Sequence, residues 1–374
     1  MCSATFHHAS LLQSFILLFE KRMGGNVYRP IGMEWAEKGF WKVYDHPATQ
    51  AQFLDFGGAT PDGTEPVNNV ATQNDENGDY ANFDVFFCFD IDSGKFNKAI
   101  TFDGFIRKKI DIVIASIPQH IEPFRRLCDL HPNKPKLIYQ IGNSWNITRE
   151  QASQLDAVMA SAIVPFLGNM NGHNGQPLPL IQYHQEFDTD IFSPWDNDFG
   201  EGYFKGTNNK TVSSFINCFG LDGLFSQDWQ LFQQIEEMMP DWKFKSFGGQ
   251  CRDGAAHGSR ELAAKMLDSS FIWHTKNGGD GYGHVLHNSA AIGRPLIIKR
   301  QYYFGKMGEY LIKDGETAII IDGLSPQQIV DKINYYSKPT RYKTMCKNVV
   351  ENFKATVDFD KEFVTLQKFI SSLL

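Results

Sequence analysis

A lysine, four glycines, a carboxylate and a histidine fall within nine residues, Lys276-Asn277-Gly278-Gly279-Asp280-Gly281-Tyr282-Gly283-His284. Together they suit an anion. Glycine lets backbone amides approach a ligand with no Cβ in the way. A helix beginning at about His284 would aim free N–H groups and the positive end of its dipole at the same point. A nucleotide diphosphate is foremost among the anions that fit. The same glycines would also serve a plain strand-to-helix turn, so the flanking elements must decide between the two.

Before the turn, Phe271–Thr275 is an apolar run of the length and continuity of a buried parallel strand. After it, Val285, Leu286, Ser289 and Ala290 continue a helix that Gly293 stops. Arg294-Pro295 then leads into a second strand, Leu296–Lys299. A second group able to do chemistry lies at the other end of the chain. His7 and His8 follow an expected strand at Cys2–Phe6 and precede an expected helix at Ala9–Arg22, whose Leu11, Leu12, Phe15, Leu18 and Phe19 recur at helical spacing; Gly24-Gly25 stops that helix and Val27–Arg29 reads as the next strand. The carboxyl end of a strand is where open α/β sheets contact ligands. Either histidine could act as a general base or bind an acceptor hydroxyl or phosphate; equally, either could be a turn residue bonded to backbone.

The chain of 374 residues is long enough for two domains, and 42% hydrophobic residues are enough for two full cores. A net charge of −7 argues against a broadly basic nucleic-acid surface. The six cysteines, Cys2, Cys88, Cys128, Cys218, Cys251 and Cys346, show no CxxC or metal-ligand spacing and fit reduced thiols. No metal site and no cofactor is expected. Asp90-Ile91-Asp92 matches a metal-binding Asp-x-Asp only as any chance triplet would. No apolar run reaches the ~18 residues of a membrane helix, so a cytoplasmic protein with no integral membrane segment is expected. Residues 57–80 read as a long surface loop rich in Gly, Asn, Asp, Thr and Pro.

Strands and helices alternate along most of the rest. Asp111–Ser116, Pro135–Ile141 and Asp156–Ala160 read as buried strands separated by helices at Ile121–Leu130 and Arg149–Leu155. A second series runs Val212–Phe219 (strand), Trp229–Met239 (helix), Trp242–Phe247 (strand) and Ser259–Leu267 (helix) up to the glycine turn. Such alternation implies α/β architecture with parallel, doubly wound sheets.

The turn and its helix resemble the donor-binding segment of GT-B glycosyltransferases, in particular the retaining group called family 4 or group 1. That segment has an acidic residue, Gly-aromatic-Gly, a helix carrying a second Glu, then Gly and Pro. Here Asp280, Gly281-Tyr282-Gly283 and Gly293-Arg294-Pro295 hold the pattern, while Asn288 stands in place of the second Glu. Phe187-Asp188-Thr189, Phe192 and Pro194 resemble the family's domain-junction stretch, with Gln185-Glu186 replacing its Asn-Gly. Gly315-Glu316-Thr317 is similar to its Gly-Glu-Thr-Gly strand, with a helix following at Pro326–Tyr336.

The resemblance implies a GT-B fold of two Rossmann-like doubly wound domains with an inter-domain cleft. Residues 1–194 would form the acceptor side, 195–357 the donor side, and the helix 358–374 would pack back on the first domain. It implies transfer of a sugar from a nucleotide-diphosphate sugar, a UDP-sugar foremost, to an acceptor hydroxyl, without metal and with retention of configuration. Asp280 would contact the donor sugar and Asn288 the ribose. Gly279, Gly281, Tyr282, Gly283 and His284 would line the nucleotide site, Tyr282 either stacking on the base or packing under the loop. The family's Arg and Lys after the first strand of the second domain are missing from Gly220–Ser226, so Lys276, Arg252 or Arg300 is expected to supply the charge. His7 or His8 as an acceptor-side base would make the reaction inverting. The acceptor could be a glycan, a small molecule or, as in phage enzymes, hydroxymethylated DNA. The missing basic pair and Asn288 also fit a GT-B-like binding protein without catalysis.

Overall fold

The computed structural model describes residues 9–30, 70–71, 85–90, 95–100, 102–142, 147–194, 208–221, 223, 225–256 and 258–374. The expected strand at Cys2–Phe6, the histidines His7 and His8, and most of the 57–80 loop lie outside them. The chain forms two compact units, residues 1–187 with 359–374, and residues 188–358.

In the first unit, helix α1 (Ala9–Phe15) continues into a π-helical stretch at Ile16–Arg22, where a single α-helix is expected from spacing. The wider turn closes with the Met23 N–H donating to the Leu18 carbonyl, five residues back, at 3.1 Å. Strand β1 (Tyr28–Pro30) pairs with β4 (Lys95–Ile100) in a mixed sheet that also holds β2 (Val70–Ala71) and β3 (Val85–Asp90). It does not join the main sheet, as a βαβ opening would require. After helix α2 (Phe102–Arg107) that main sheet follows: β5 (Ile112–Ala115), helix α3 (Ile121–Leu130), β6 (Lys136–Ile141), helix α4 (Arg149–Ala152), β7 (Ala157–Ala160) and β8 (Leu180–Gln182), all parallel in the order β5-β6-β7-β8. Alternate strand residues explain why these runs are apolar throughout. Val113, Leu137 and Val158 face a core with Phe105, Phe124 and Leu127, whereas Ile114, Ile138 and Met159 face Leu11, Phe15, Leu366 and Ile370. Both faces are covered.

The second unit contains β9 (Thr211–Phe215), α5 (Ser226–Met238), β10 (Lys243–Phe247), α6 (Gly258–Leu267), β11 (Phe271–His274), α7 (His284–Ala291), β12 (Leu296–Ile298), β13 (Ala318–Ile320), α8 (Pro326–Tyr336) and α9 (Pro339–Thr356). Its five strands are parallel in the order β10-β9-β11-β12-β13. The sheet therefore changes direction of winding between β9 and β11, and ligands of such sheets bind outside the carboxyl ends of the strands at that switch. Trp273 and Phe232 anchor the core with ring centroids 5.4 Å apart.

The final helix, α10 (Phe359–Leu373), belongs to the first unit. Arg22 donates to both oxygens of Glu186 at 2.7–3.0 Å and to Asp360 at 2.8 Å, while His184 bonds Glu362 at 2.5 Å. The Glu186 carboxylate raises the Arg22 pKa; burial works against it and Asp360 adds to it. Gln185 joins a buried cluster with Ser161 and Gln140. The Gln185-Glu186 pair, which departs from the resembled junction, thus has a structural role in this chain. Among the described residues no helix is long and apolar enough to cross a membrane.

Candidate functional site

The glycine turn follows the carboxyl end of β11, a strand buried along its whole length, at the winding switch. Trp273 Nε1–H donates to Thr275 Oγ1 at 2.8 Å, and the Gly279 N–H closes a turn on the Lys276 carbonyl at 2.8 Å. Gly279 has φ +59°, and a Cβ there would lie 2.2 Å from the Tyr302 carbonyl oxygen and 2.8 Å from Lys306 Nζ. Only glycine lets the loop after β12 lie against the turn. Gly283 has φ +81° and forms the N-cap of α7, which begins at His284, the position expected from sequence. No side chain caps this helix and no acidic residue occupies its first turn. Neither a cap side chain nor a first-turn carboxylate therefore takes up its positive end.

Asp280 is the electrostatic centre of the turn. His274 Nε2 stands 3.1 Å from its Oδ2, Lys276 Nζ pairs with its Oδ1, and the Tyr303 hydroxyl lies 3.5 Å from Oδ2. Burial alone would push the Asp280 pKa up; the His274 hydrogen bond and charge, with Lys276 added, outweigh it and hold the carboxyl well below the usual range. An ionised carboxylate only accepts, so His274 donates from Nε2. Its other nitrogen, Nδ1, is buried without a partner among the described residues. Tyr303 is pushed well above the ordinary phenol value by burial and by the Asp280 charge, and stays a neutral donor.

The structure gathers Lys276, Gly279, Asp280, Gly281, Tyr282, Gly283, His284 and Asn288 on one turn and one helix. Tyr282 is 2% exposed and stacks on His287, centroids 4.1 Å apart and planes 7° from parallel, and meets the His284 ring at 71°. It packs under the loop. His287 Nδ1 donates to the Gly283 carbonyl at 2.9 Å and so fixes the layer beneath the helix start. Asn288 is 6% exposed, and its Oδ1 has no hydrogen-bond partner among the described residues. Such a buried acceptor suits a hydroxyl donor.

Arg252 is engaged elsewhere. It donates to Glu236 at 2.7 Å, to Asp253 at 3.2 Å and to the Phe244 carbonyl at 2.7 Å, and it lies over Trp229. Arg300 pairs with Glu309 at 3.1 Å. Neither bonds the turn. Instead the loop after β12 brings lysines that sequence reasoning passed over. Lys299 bonds the buried Asp228 of α5 at 2.6 Å and Tyr302 at 3.2 Å, and Lys306 Nζ meets the Gly278 carbonyl. His274 and Tyr303 were also missed. The only sequence signal for His274 is an imidazole at the last position of an otherwise apolar strand. Among the described residues no group of three or more His, Cys, Asp or Glu is placed to hold a metal.

No known family model and no curated protein sequence matches the chain. Solved structures do match. The Anabaena protein Alr3699/HepE in complex with UDP and glucose is 15% identical, with a TM-score of 0.50 over 70% of this chain and 78% of its own. An α-glucosyltransferase in complex with UDP-glucose and DNA containing an abasic site is 10% identical, with a TM-score of 0.50 over 73% of this chain and 85% of its own. Together with the two parallel-sheet units, these matches establish the fold class expected from sequence: α/β, GT-B, with two Rossmann-like domains.

Proposed function

We propose that the chain is a glycosyltransferase that moves a sugar from a UDP-sugar to an acceptor hydroxyl. The observation that carries this reading is an Asp280 carboxylate held ionised beside an uncapped helix start at the winding switch of a parallel sheet. The α7 amides and the nearby lysines would meet the diphosphate, Asn288 Oδ1 would accept from a ribose hydroxyl, and Asp280 would accept from hydroxyls of the donor sugar. As the bond from the anomeric carbon to the diphosphate breaks, negative charge grows on the leaving oxygen, where a fixed positive field lowers the barrier most. The acceptor oxygen bonds to the anomeric carbon on the face from which the diphosphate leaves, and its proton passes to the departing phosphate; same-face attack keeps the configuration. Because amides and lysines supply the positive charge, the reading is metal-independent. An inverted product would instead point to His7 or His8 as the base.

The test is UDP release from a panel of UDP-sugars with glycan, small-molecule and DNA acceptors, in native protein and in Asp280→Ala. Hydroxymethylated DNA belongs in the panel because one of the similar structures is an α-glucosyltransferase bound to DNA, although the net charge of −7 opposes DNA binding. Turnover by the native chain that falls at least about a hundredfold in the variant supports the reading, since one such group contributes on the order of 3 kcal/mol. UDP binding without release from any donor would replace it with a binding protein.

A further inference from the structure

The loop after β9, where the resembled family would carry an Arg and a Lys for the phosphates, holds neither. That loop is tied to its neighbour after β10 by the Cys218 N–H on the Gly249 carbonyl and the Gly249 N–H on Asn217. Positive charge comes from the other side of the sheet. Of three lysines at the carboxyl ends of β11 and β12, Lys299 is held by Asp228 and Lys276 by Asp280. Lys306 differs. It is half-buried, no carboxylate lies within ion-pair distance of it among the described residues, and its ammonium rests on the Gly278 carbonyl. Burial lowers its pKa, the Asp280 charge opposes that shift and the Lys276 charge adds to it, and its ammonium lies 5.8 Å from the centre of the Tyr303 ring. A partly desolvated cation that has one carbonyl, a ring face and only a carboxylate already bonded to His274 and Lys276 can take a further anion.

Its surroundings say where that anion would sit. The loop carrying Lys306 lies along both halves of the glycine motif: Tyr302 O and Lys306 Nζ press on Gly279, and Gly308 packs against Leu286 in the first turn of α7. Lys306 and the uncapped α7 amides therefore flank the same turn, and Lys276 is already occupied in neutralising Asp280.

We propose that Lys306 is the cation that holds the terminal phosphate of a nucleoside diphosphate in this chain, in place of the basic pair absent after β9. The inference rests on the UDP-site reading above and adds the residue that distinguishes a diphosphate from a monophosphate. A purely structural Lys306, tying its loop to Gly278, would affect all nucleotides alike. A phosphate-binding one acts on UDP selectively.

The experiment is calorimetric titration of native protein, Lys306→Met and Lys306→Arg with uridine, UMP and UDP, at low and at raised salt. Native protein should bind UDP more tightly than UMP. Lys306→Met should lose roughly tenfold to a hundredfold in UDP affinity, the range of a charge-assisted bond, with uridine and UMP nearly unchanged and a shallower salt dependence for UDP. Lys306→Arg, which keeps the charge, should retain the preference for UDP, and it carries the test if the Met variant does not fold. Native protein that binds UDP, with Lys306→Met binding it equally well, overturns the role of Lys306 and leaves the nucleotide site standing. Native protein that binds no nucleotide overturns both.

Discussion

Replacing Gly279 with alanine should destabilise the second unit by about 2–5 kcal/mol. The figure has two parts. An L-residue at φ +59° costs about 1–2 kcal/mol. The added Cβ would stand 2.2 Å from the Tyr302 carbonyl oxygen and 2.8 Å from Lys306 Nζ; the lysine end can swing aside, but the carbonyl cannot move without its loop, and overpacking of this kind costs about 1–3 kcal/mol. Gly278→Ala is the internal control. Gly278 has φ +81° but open space around its absent Cβ, so only the conformational part applies, about 1–2 kcal/mol. At about 2–4 °C per kcal/mol for a unit of this size, Gly279→Ala should lower the melting midpoint by roughly 4–20 °C and Gly278→Ala by only about 2–8 °C. Calorimetric melting of both variants beside the native protein makes the comparison. Equal shifts would refute the reasoning, because they would mean that the Tyr302–Lys306 loop does not lie on the turn, and the placement of Lys306 at the anion site would fail with it.

Other consequences can be checked on the same material. The Asp280 pKa is depressed in the folded state, so its contribution to stability is complete above the ordinary carboxylate value near 3.9 and is lost as pH falls below it; the urea midpoint of native protein should drop faster than that of Asp280→Asn below about pH 4. Asp228→Ala would strand the Lys299 ammonium in a site where Lys299 is 18% exposed, at a cost of about 3–5 kcal/mol, and adding Lys299→Met should recover part of it in chemical denaturation. Burial pushes the Cys128 thiol up to about 12 and Cys346 to about 11, whereas Cys218 and Cys251 are partly exposed. Mass spectrometry after brief alkylation of the folded protein should find label on the latter pair well before the former.

Much of the second unit is legible in sequence because its signals are local. The apolar run of β11, the glycine turn, the start of α7 at His284 and its stop at Gly293 all follow from residues next to one another, and α8 has the bounds Pro326–Tyr336 that the resemblance implies, its start held by a Ser325–Gln328 capping box. Helix α9 goes unassigned in the sequence reading although its buried Tyr342, Met345, Cys346, Val349, Val350 and Phe353 recur at helical spacing. What sequence does not disclose is tertiary. Lys306 lies 26 residues past Asp280 and reaches the turn only because β12 runs beside β11. Asp228 and Lys299 come from different elements, and neither is unusual until the two meet. His274 was hidden by its own strand, where the apolar Phe271, Ile272 and Trp273 make a buried core reading natural. Arg252, a plausible cation by position in the chain, is drawn off by Glu236 and Asp253. In the first unit, the departures at Gln185 and Glu186 become intelligible only when Ser161 and Arg22 are seen beside them.

The most direct test of the account is a crystal structure of the chain with UDP. The expected result is a diphosphate at the start of α7, within hydrogen-bond distance of the backbone amides at Gly283–Val285, with Lys306 Nζ on the terminal phosphate and Asn288 Oδ1 near a ribose hydroxyl. UDP bound with its phosphates away from that turn, for example in the loop after β9, would contradict the site and the roles assigned to Asp280 and Lys306 together.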